Sequence, residues 1–218
     1  MAPDQRGYSP GVRPPAVEDY AVRHLSDDVL RIVDALGWGD FHLAGHDWGA
    51  AVAWVTATRV PHRVRTLTSV SVPHPGAFGR ALREDPVQRR KSRYMHLFRQ
   101  PSPVPEQAVL AHFDRLGLPV HRSDFYYRRF AGEPGLLTAA LNWYRAGGLP
   151  QPARTAVPTL LIASTSDAAI ARSGVDDTVN WVAAPYRLEL LEDVGHFIPE
   201  EAPEVTSRLL LEHVCSVP

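Results

Sequence analysis

Cysteine is nearly absent from this sequence, since Cys215 is the only one among 218 residues. A single cysteine excludes an intrachain disulfide framework and suits a reducing compartment. Long apolar runs are missing as well, and no stretch approaches the ~20 residues that a membrane-spanning helix requires. The first ten residues, MAPDQRGYSP, lack the apolar centre of a signal peptide. We therefore expect a cytoplasmic protein without a membrane anchor.

An excess of charge of either sign is also missing. Lys and Arg total 23 against 24 Asp and Glu, which gives a net charge of −1. This balance indicates neither a nucleic-acid-binding surface nor a general attraction to anionic membranes. The ten histidines show no ligand-like clustering, so we expect no metal site and no cofactor. With 44% hydrophobic residues, the chain can bury one sizeable core and act on small neutral molecules.

The first third of the chain alternates between helix and strand patterns. Apolar residues at helical spacing predict a helix over residues 17–36, which Gly37 ends. FHLAG (41–45) is a short apolar run that predicts a strand. AAVAWVTATRV (50–60) then predicts a helix stopped by Pro61. The order is strand, turn, helix.

Three further runs complete the predicted sheet. TLTSVSV (66–72) and TLLIAS (159–164) are nearly continuous apolar runs, typical of parallel strands covered by helices on both faces. YRLELLE (186–192) alternates and predicts a half-exposed edge strand, and residues 203–214 predict the last helix. The sequence therefore predicts an α/β protein with a parallel sheet.

A mostly helical block interrupts this alternation. Residues 75–150 lie between the second and third strands and are bounded by proline-rich joints. We predict a helical lid over 75–150, inserted into an α/β core formed by residues 1–74 and 151–218.

The stretch LAGHDWGAA (43–51) contains the most informative motif. Gly45, Asp47 and Gly49 match the G-x-S-x-G nucleophile elbow except at the centre, where aspartate replaces serine. The backbone N–H of Trp48 follows the central residue and is the natural oxyanion donor.

Two more polar residues follow predicted strands. Asp167 comes after the third strand and His196 after the fourth, so both are expected with Asp47 at the carboxyl edge of the sheet. The order is nucleophile, acid, base, although Asp176 and Asp177 are alternatives for the acid. We interpret His46 and His74 as structural.

Four stretches, GHDWGAA, SVPHPGAF, LNWYRA and VGHFIPEE, resemble the epoxide hydrolase branch of the α/β-hydrolase family. The resemblance covers essentially the whole chain. It implies the α/β-hydrolase fold with a lid over the sheet, a nucleophilic Asp47, and His196 held by Asp167. It also implies two lid tyrosines, which Tyr94 and Tyr144 match.

An aspartate suits attack on the saturated carbon of an epoxide, because a carboxylate is ionised at neutral pH without assistance. The product would be an alkyl ester of Asp47, which water could hydrolyse once His196 removed its proton. Asp167 would orient His196. The two phenols would protonate the alkoxide of the opened ring. The implied substrates are a small apolar epoxide and water.

The chain departs from the family at its N-terminal end. The family places several strands and an H-G-x-P oxyanion loop before the point where this chain begins, so we expect a truncated sheet. FHLAG would then have an unpaired edge, which favours a homodimer through that edge. With Trp48 as the remaining oxyanion donor, alkylated Asp47 is expected to accumulate.

Two other functions are compatible with the sequence. A haloalkane dehalogenase shares the aspartate elbow followed by tryptophan, but needs Trp48 and a second tryptophan or asparagine to hold a halide. A catalytically impaired, truncated α/β-hydrolase is the non-enzymatic alternative. The matching tyrosines favour the epoxide.

Overall fold

The computed structural model describes residues 1–148 and 153–217 and contains one four-stranded parallel sheet. Its strands lie side by side in sequence order, each paired with the next. They are β1 (Phe41–His46), β2 (Val64–Val70), β3 (Thr159–Ser164) and β4 (Tyr186–Leu191). The predicted parallel α/β architecture is confirmed.

Eleven α-helices surround or follow the strands in the described part of the chain. They are α1 (Val22–Ala35), α2 (Trp48–Arg59), α3 (Pro75–Glu84), α4 (Pro86–Lys91), α5 (Tyr94–Phe98), α6 (Val104–Ala111), α7 (Val120–Gly132), α8 (Leu136–Arg145), α9 (Arg172–Asp177), α10 (Ile198–Glu201) and α11 (Pro203–Cys215). Short 3-10 turns occupy Val17–Tyr20, Phe113–Leu116 and Thr178–Trp181.

The sequence of β3 is almost continuously apolar because both of its faces are covered by helices. Leu160 faces one side of the sheet and packs in a cluster with Leu209 of α11. Leu161 faces the other side and packs with Val175 of α9. Because helices cover both faces, successive side chains are all buried, and each contributes about 1.5–3 kcal/mol of transfer free energy.

Two predicted boundaries were wrong by a few residues. The helix predicted from residue 17 begins as a 3-10 turn and is interrupted at Ala21, whose ψ of 139° is extended, before α1 continues to Ala35. Gly37, with φ +71°, follows the helix end as predicted. The second strand ends at Val70 rather than residue 72, because Ser71 adopts φ +68° and turns the chain.

Strands β4 and β1 form the two edges of the sheet. The prediction of a half-exposed edge strand is confirmed for β4, in which Arg187 is exposed and its neighbours are partly buried. Strand β1 forms the opposite edge, and within residues 1–148 and 153–217 only β2 pairs with it.

The helical block between β2 and β3 comprises α3 to α8, which lie where the lid was predicted. The predicted boundary between residues 150 and 151 falls outside the described residues. No helix in the described part of the chain combines the length and apolarity needed to cross a bilayer.

Candidate active site

A sharp turn between β1 and α2 presents Asp47. Its backbone has φ 52° and ψ −125°, a strained conformation for a non-glycine residue that is common at functional sites. The turn requires glycine nearby, because a Cβ on Gly45 would lie 2.2 Å from the carbonyl oxygen of Gly49. Two glycines thus allow the close approach of strand and helix that projects Asp47 from the sheet edge.

His196 connects two carboxylates. Its Nδ1 lies 2.8 Å from Oδ2 of Asp167, and its Nε2 lies 2.9 Å from Oδ2 of Asp47. The three residues lie far apart in the sequence and meet because parallel strands end at the same edge. Both ring nitrogens therefore act as donors when the imidazole is protonated.

Asp167 is the most buried member of this set, with 3% of its side chain exposed. Its Oδ1 accepts hydrogen bonds from the backbone N–H groups of Ala169, at 2.7 Å, and Ile170, at 2.9 Å. The ammonium group of Lys91 donates to the backbone carbonyls of Asp167 and Ile170. These contacts fix the carboxylate so that Oδ2 points at His196.

The two alternative acids do not reach His196. Oδ1 of Asp176 accepts a hydrogen bond from Arg172 at 2.6 Å. Oδ2 of Asp177 accepts one from the indole N–H of Trp181 at 3.1 Å. The structure brings Asp167 alone among these three aspartates to the histidine.

The backbone at His196 is itself anchored, by two residues whose contacts the sequence does not indicate. The carbonyl oxygen of His196 accepts hydrogen bonds from Oγ of Ser71, at 2.7 Å, and from Nε2 of His46, at 2.8 Å. Burial lowers the pKa of His46, which keeps its ring neutral and able to make this single donation. The positive φ of Ser71 aims its hydroxyl across the strand ends.

His74 contacts protein atoms on both ring nitrogens. Nδ1 accepts from the N–H of Gly76 at 3.0 Å, and Nε2 lies 3.1 Å from the carbonyl of Ala153. The ring also stacks on Trp181. Burial lowers its pKa to about 4, so the neutral ring caps α3.

Asp47 and His196 form an ion pair at neutral pH. Burial opposes ionisation of Asp47, but the hydrogen bond and charge of His196 outweigh it and lower the Asp47 pKa to about 2. The backbone N–H of Trp48 acts in the same direction. Burial likewise opposes protonation of His196, whereas Asp167 and Asp47 raise its pKa to about 10. The elbow therefore holds an ionised carboxylate, 36% accessible, on the cavity side.

Two tyrosines from different helices line the same cavity as Asp47. Tyr94 begins α5 and Tyr144 lies near the end of α8, with their ring centres 6.1 Å apart in an edge-to-face arrangement. The ring of Trp48 packs edge-to-face on Tyr144 at 5.1 Å. Burial and the negative charge of Asp47 raise the pKa of both phenols. Both therefore remain protonated donors at neutral pH.

These residues share a cavity of about 410 Å³, a volume typical of small-molecule sites. Five of the six predicted site residues line it, and only the buried Asp167 does not. Its apolar wall includes Phe78, Leu82 and Met95. Such a wall suits a hydrocarbon substituent.

Tyr8 is a site neighbour that the sequence did not indicate. Burial and the negative charge of Asp47 raise its pKa, and its ring packs edge-to-face on Trp143 at 5.8 Å. Trp143 in turn contacts Trp48 at 6.0 Å. Tyr8 therefore supports the elbow from the side of the N-terminal segment.

No group of three or more His, Cys, Asp or Glu side chains that could hold a metal ion occurs among residues 1–148 and 153–217. Polar side chains that line the cavity include the carboxylate of Asp47, the imidazole of His196, the two phenols, and the guanidinium groups of Arg83 and Arg99.

Comparison with known proteins assigns the family. A model of the alpha/beta hydrolase fold matches residues 1–203, and the chain belongs to this family. The AB hydrolase superfamily protein YfhM of Bacillus subtilis is 30% identical over 229 residues, which cover 98% of this chain and 79% of YfhM.

Other similar proteins are epoxide hydrolases. Epoxide hydrolase 3 of Xenopus tropicalis is 30% identical over 96% of this chain, and the chain spans 62% of that relative's length. A solved structure of an epoxide hydrolase from hot-environment metagenomes has a TM-score of 0.85 and 29% identity, covering 98% of this chain and 80% of that one. The protein is thus an epoxide hydrolase-like α/β-hydrolase.

Proposed function

We propose that the protein opens a small apolar epoxide to a vicinal diol through a covalent ester on Asp47. One observation carries the proposal: an ionised carboxylate paired with a histidine lines the same cavity as two protonated phenols. The first pair suits attack at carbon, and the second suits the oxygen that leaves carbon.

The first step forms an ester and opens the ring. An oxygen of the Asp47 carboxylate attacks an epoxide carbon, the bond between that carbon and the ring oxygen breaks, and the oxygen leaves as an alkoxide. Tyr94 or Tyr144 donates its proton to the alkoxide. The imidazolium of His196 then restores the phenol through water, which leaves a neutral imidazole.

Ester formation also prepares the histidine for the second step. The ester carries no charge, so one of the two anions that raise the pKa of His196 is lost and that pKa falls. Neutral His196 takes a proton from water, and the hydroxide attacks the Asp47 carbonyl. The tetrahedral oxyanion is stabilised by the backbone N–H of Trp48 and collapses to the diol, the Asp47 carboxylate and the imidazolium.

The cavity fits a halide poorly. The indole N–H of Trp181 donates to Asp177 and that of Trp143 donates to a backbone carbonyl, so neither is directed at the nucleophile. No asparagine lines the described cavity. These contacts support the epoxide over haloalkane dehalogenation, because a leaving halide needs a second donor beside Trp48.

Hydrolysis of the ester is the step we expect to be slow. Within the described residues, the oxyanion donor that we assign is the backbone N–H of Trp48, and a site with one donor in place of two is slower by about 10²–10³. This affects ester hydrolysis rather than alkylation, because the oxyanion forms during hydrolysis. A catalytically impaired enzyme would therefore accumulate alkylated Asp47.

Homodimerisation through β1 is a separate part of the proposal. Strand β1 is paired on one side only within the described residues, and an open strand edge is a template for a second chain. Size-exclusion chromatography should give a dimer, and a stable monomer at high concentration would contradict this part alone.

The proposed reaction is tested by counting aryl epoxide molecules consumed per chain, with Asp47→Ala as control. We expect many per chain in the wild type and none in the control. About one per chain, with a matching adduct by intact-mass spectrometry, would mean that alkylation occurs without hydrolysis. No consumption and no adduct would refute the proposal.

A further inference from the structure

Lys91 ends α4 and is the only lysine in the chain, although Lys and Arg together total 23. The two cations differ in shape. A guanidinium is a planar fork that matches a carboxylate, whereas an ammonium is a compact group whose three donors can diverge. Arg6 and Arg145 accordingly pair with the carboxylates of Asp28 and Glu106. A lysine suits a place where one group donates to two separate acceptors.

The ammonium of Lys91 bonds the loop that carries the proposed acid. Residues 165–171 connect β3 to α9, and we call them the acid loop because Asp167 lies within it. The Nζ atom donates to the backbone carbonyl of Asp167 and, at 2.9 Å, to that of Ile170. One side chain of the inserted helical block thus joins two positions of the acid loop.

A second residue of α4 anchors the far end of the acid loop. Gln88 is fully buried, and its Oε1 accepts a hydrogen bond from the N–H of Ala171 at 2.7 Å. Its Nε2 donates to the carbonyl of Ala169, at 2.8 Å, and to Oγ of Ser92, at 2.9 Å. Because both ends of this amide are engaged, α4 stays attached to the acid loop independently of Lys91.

The acid loop in turn holds the carboxylate. The N–H groups of Ala169 and Ile170 donate to Oδ1 of Asp167. Oδ2 is thereby directed at Nδ1 of His196, 2.8 Å away. The backbone of the acid loop belongs to neither a strand nor a helix, so its orientation depends on side-chain contacts. Because Lys91 bonds the carbonyl of Asp167 itself, the direction of the carboxylate depends most directly on Lys91.

We propose that Lys91 is a positioning residue for ester hydrolysis: it holds the acid loop so that Asp167 keeps His196 oriented to take a proton from water. This inference rests on the proposed function. Lys91 does not line the described cavity, so it acts through Asp167 rather than on the substrate. Its contribution falls on hydrolysis, because alkylation uses the carboxylate of Asp47 and the two phenols and needs no base.

The pKa of His196 distinguishes positioning from a simple effect of charge. Burial lowers this pKa, but the carboxylates of Asp167 and Asp47 outweigh burial and raise it to about 10. The ring of His46 lies 5.3 Å away. Loss of a nearby cation would by itself raise the pKa further, because the protonated ring would be less repelled. A weaker hydrogen bond to Asp167 would lower it, so the sign of the change identifies the cause.

The test uses Lys91→Met, which keeps the length of the side chain and removes all three donors. Lys91→Gln is a second variant, which keeps a polar group but is one bond shorter and cannot bond both carbonyls. Arg90→Met is the matched control, because Arg90 is an exposed cation next to Lys91 on the same helix. Circular dichroism and thermal unfolding identify the variants that fold. Single-turnover kinetics with an aryl epoxide, followed by intact-mass spectrometry, give the rates of alkylation and ester hydrolysis separately.

We expect ester hydrolysis to slow by up to about 10²-fold in Lys91→Met and by less in Lys91→Gln, because a displaced acid misorients the base. Alkylation should be unchanged, since Gln88 still attaches α4, and with it the adjoining Tyr94, to the acid loop. NMR titration of Lys91→Met should show that the pKa of His196 falls from about 10 by about one unit. Arg90→Met should match the wild type in both rates.

Wild-type hydrolysis in a folded Lys91 variant, equal slowing of both steps, or an unchanged or increased pKa of His196 would overturn the inference. Failure of both variants to fold would assign Lys91 to stability alone and overturn it as well. The proposed function fails separately. If the wild type neither consumes the epoxide nor forms an adduct, the hydrolase is refuted, and the NMR titration still decides whether Lys91 positions the acid.

Discussion

The floor and the roof of the cavity are built by different means. The floor consists of Asp47, Asp167 and His196, which follow β1, β3 and β4 and are tied together by hydrogen bonds of 2.8 and 2.9 Å. The roof consists of Tyr94 and Tyr144 on two helices of the inserted block. Strand ends and backbone hydrogen bonds position the floor, whereas side-chain packing positions the roof.

Contacts around the roof illustrate this dependence. The ring of Phe98 packs edge-to-face on Tyr94 at 5.2 Å and on Tyr144 at 5.0 Å. Arg145, next to Tyr144, is 8% exposed and donates to Glu106, which ties α8 to α6. We therefore expect the floor to determine the reaction, and the roof to determine acid assistance and substrate choice.

The largest effect is expected from the floor. His196→Gln keeps a polar side chain but removes the base that we propose activates water, so kcat should fall by about 10²–10⁴. Alkylation does not need a base, so intact-mass spectrometry after mixing with an aryl epoxide should show one adduct per chain.

His62→Gln is the matched control, because His62 is exposed in the turn before β2. It should retain wild-type turnover. Rapid turnover by the His196 variant, or the absence of any adduct, would mean that floor residues do not divide the reaction in this way.

A smaller effect is expected from the roof. Tyr94→Phe and Tyr144→Phe keep the aromatic packing and remove one donor each, so each should slow alkylation by about 10²-fold while leaving the rate of ester hydrolysis unchanged. Single-turnover kinetics resolve the two steps. Tyr127→Phe, on the exposed side of α7, is the control.

If both variants alkylated at the wild-type rate, the roof phenols would not act as acids. A loss of rate confined to ester hydrolysis would mean that the two phenols act in the step assigned to His196. The floor and the roof would then not differ in function.

The sequence predicted the floor better than its supports. Gly45 and Gly49 signal the elbow, and the apolar strand before each candidate explains why Asp47, Asp167 and His196 end at one edge. Each of these signals lies within a few residues of the side chain that it predicts, and the parallel sheet brings the three side chains together.

The residues that hold the floor in place, such as Ser71 and Tyr8, act through contacts between distant parts of the sequence, which a local sequence pattern does not predict. The hydroxyl of Ser71 bonds the carbonyl of a residue 125 positions later, and requires a positive φ that few serines adopt. Tyr8 reaches the elbow only because the N-terminal segment folds over Trp143.

The smallest effect concerns the charge coupling within the floor. Asp47→Asn mimics the neutral ester, so the pKa of His196 should fall from about 10 by about one unit or more, while Asp167 still supports the protonated ring. NMR titration of the histidine ring resonances measures the shift directly.

The same coupling predicts how stability depends on pH. Because the folded-state pKa of His196 is raised, its stabilising contribution is complete below the ordinary value of 6.5 and is lost as pH rises through about 10. In Asp47→Asn this loss should be smaller and complete at lower pH, because only the folded-state pKa falls, as followed by thermal unfolding across the alkaline range. An unchanged histidine pKa in the variant would mean that ester formation does not convert His196 into a base, and the floor would then need another source for that proton transfer.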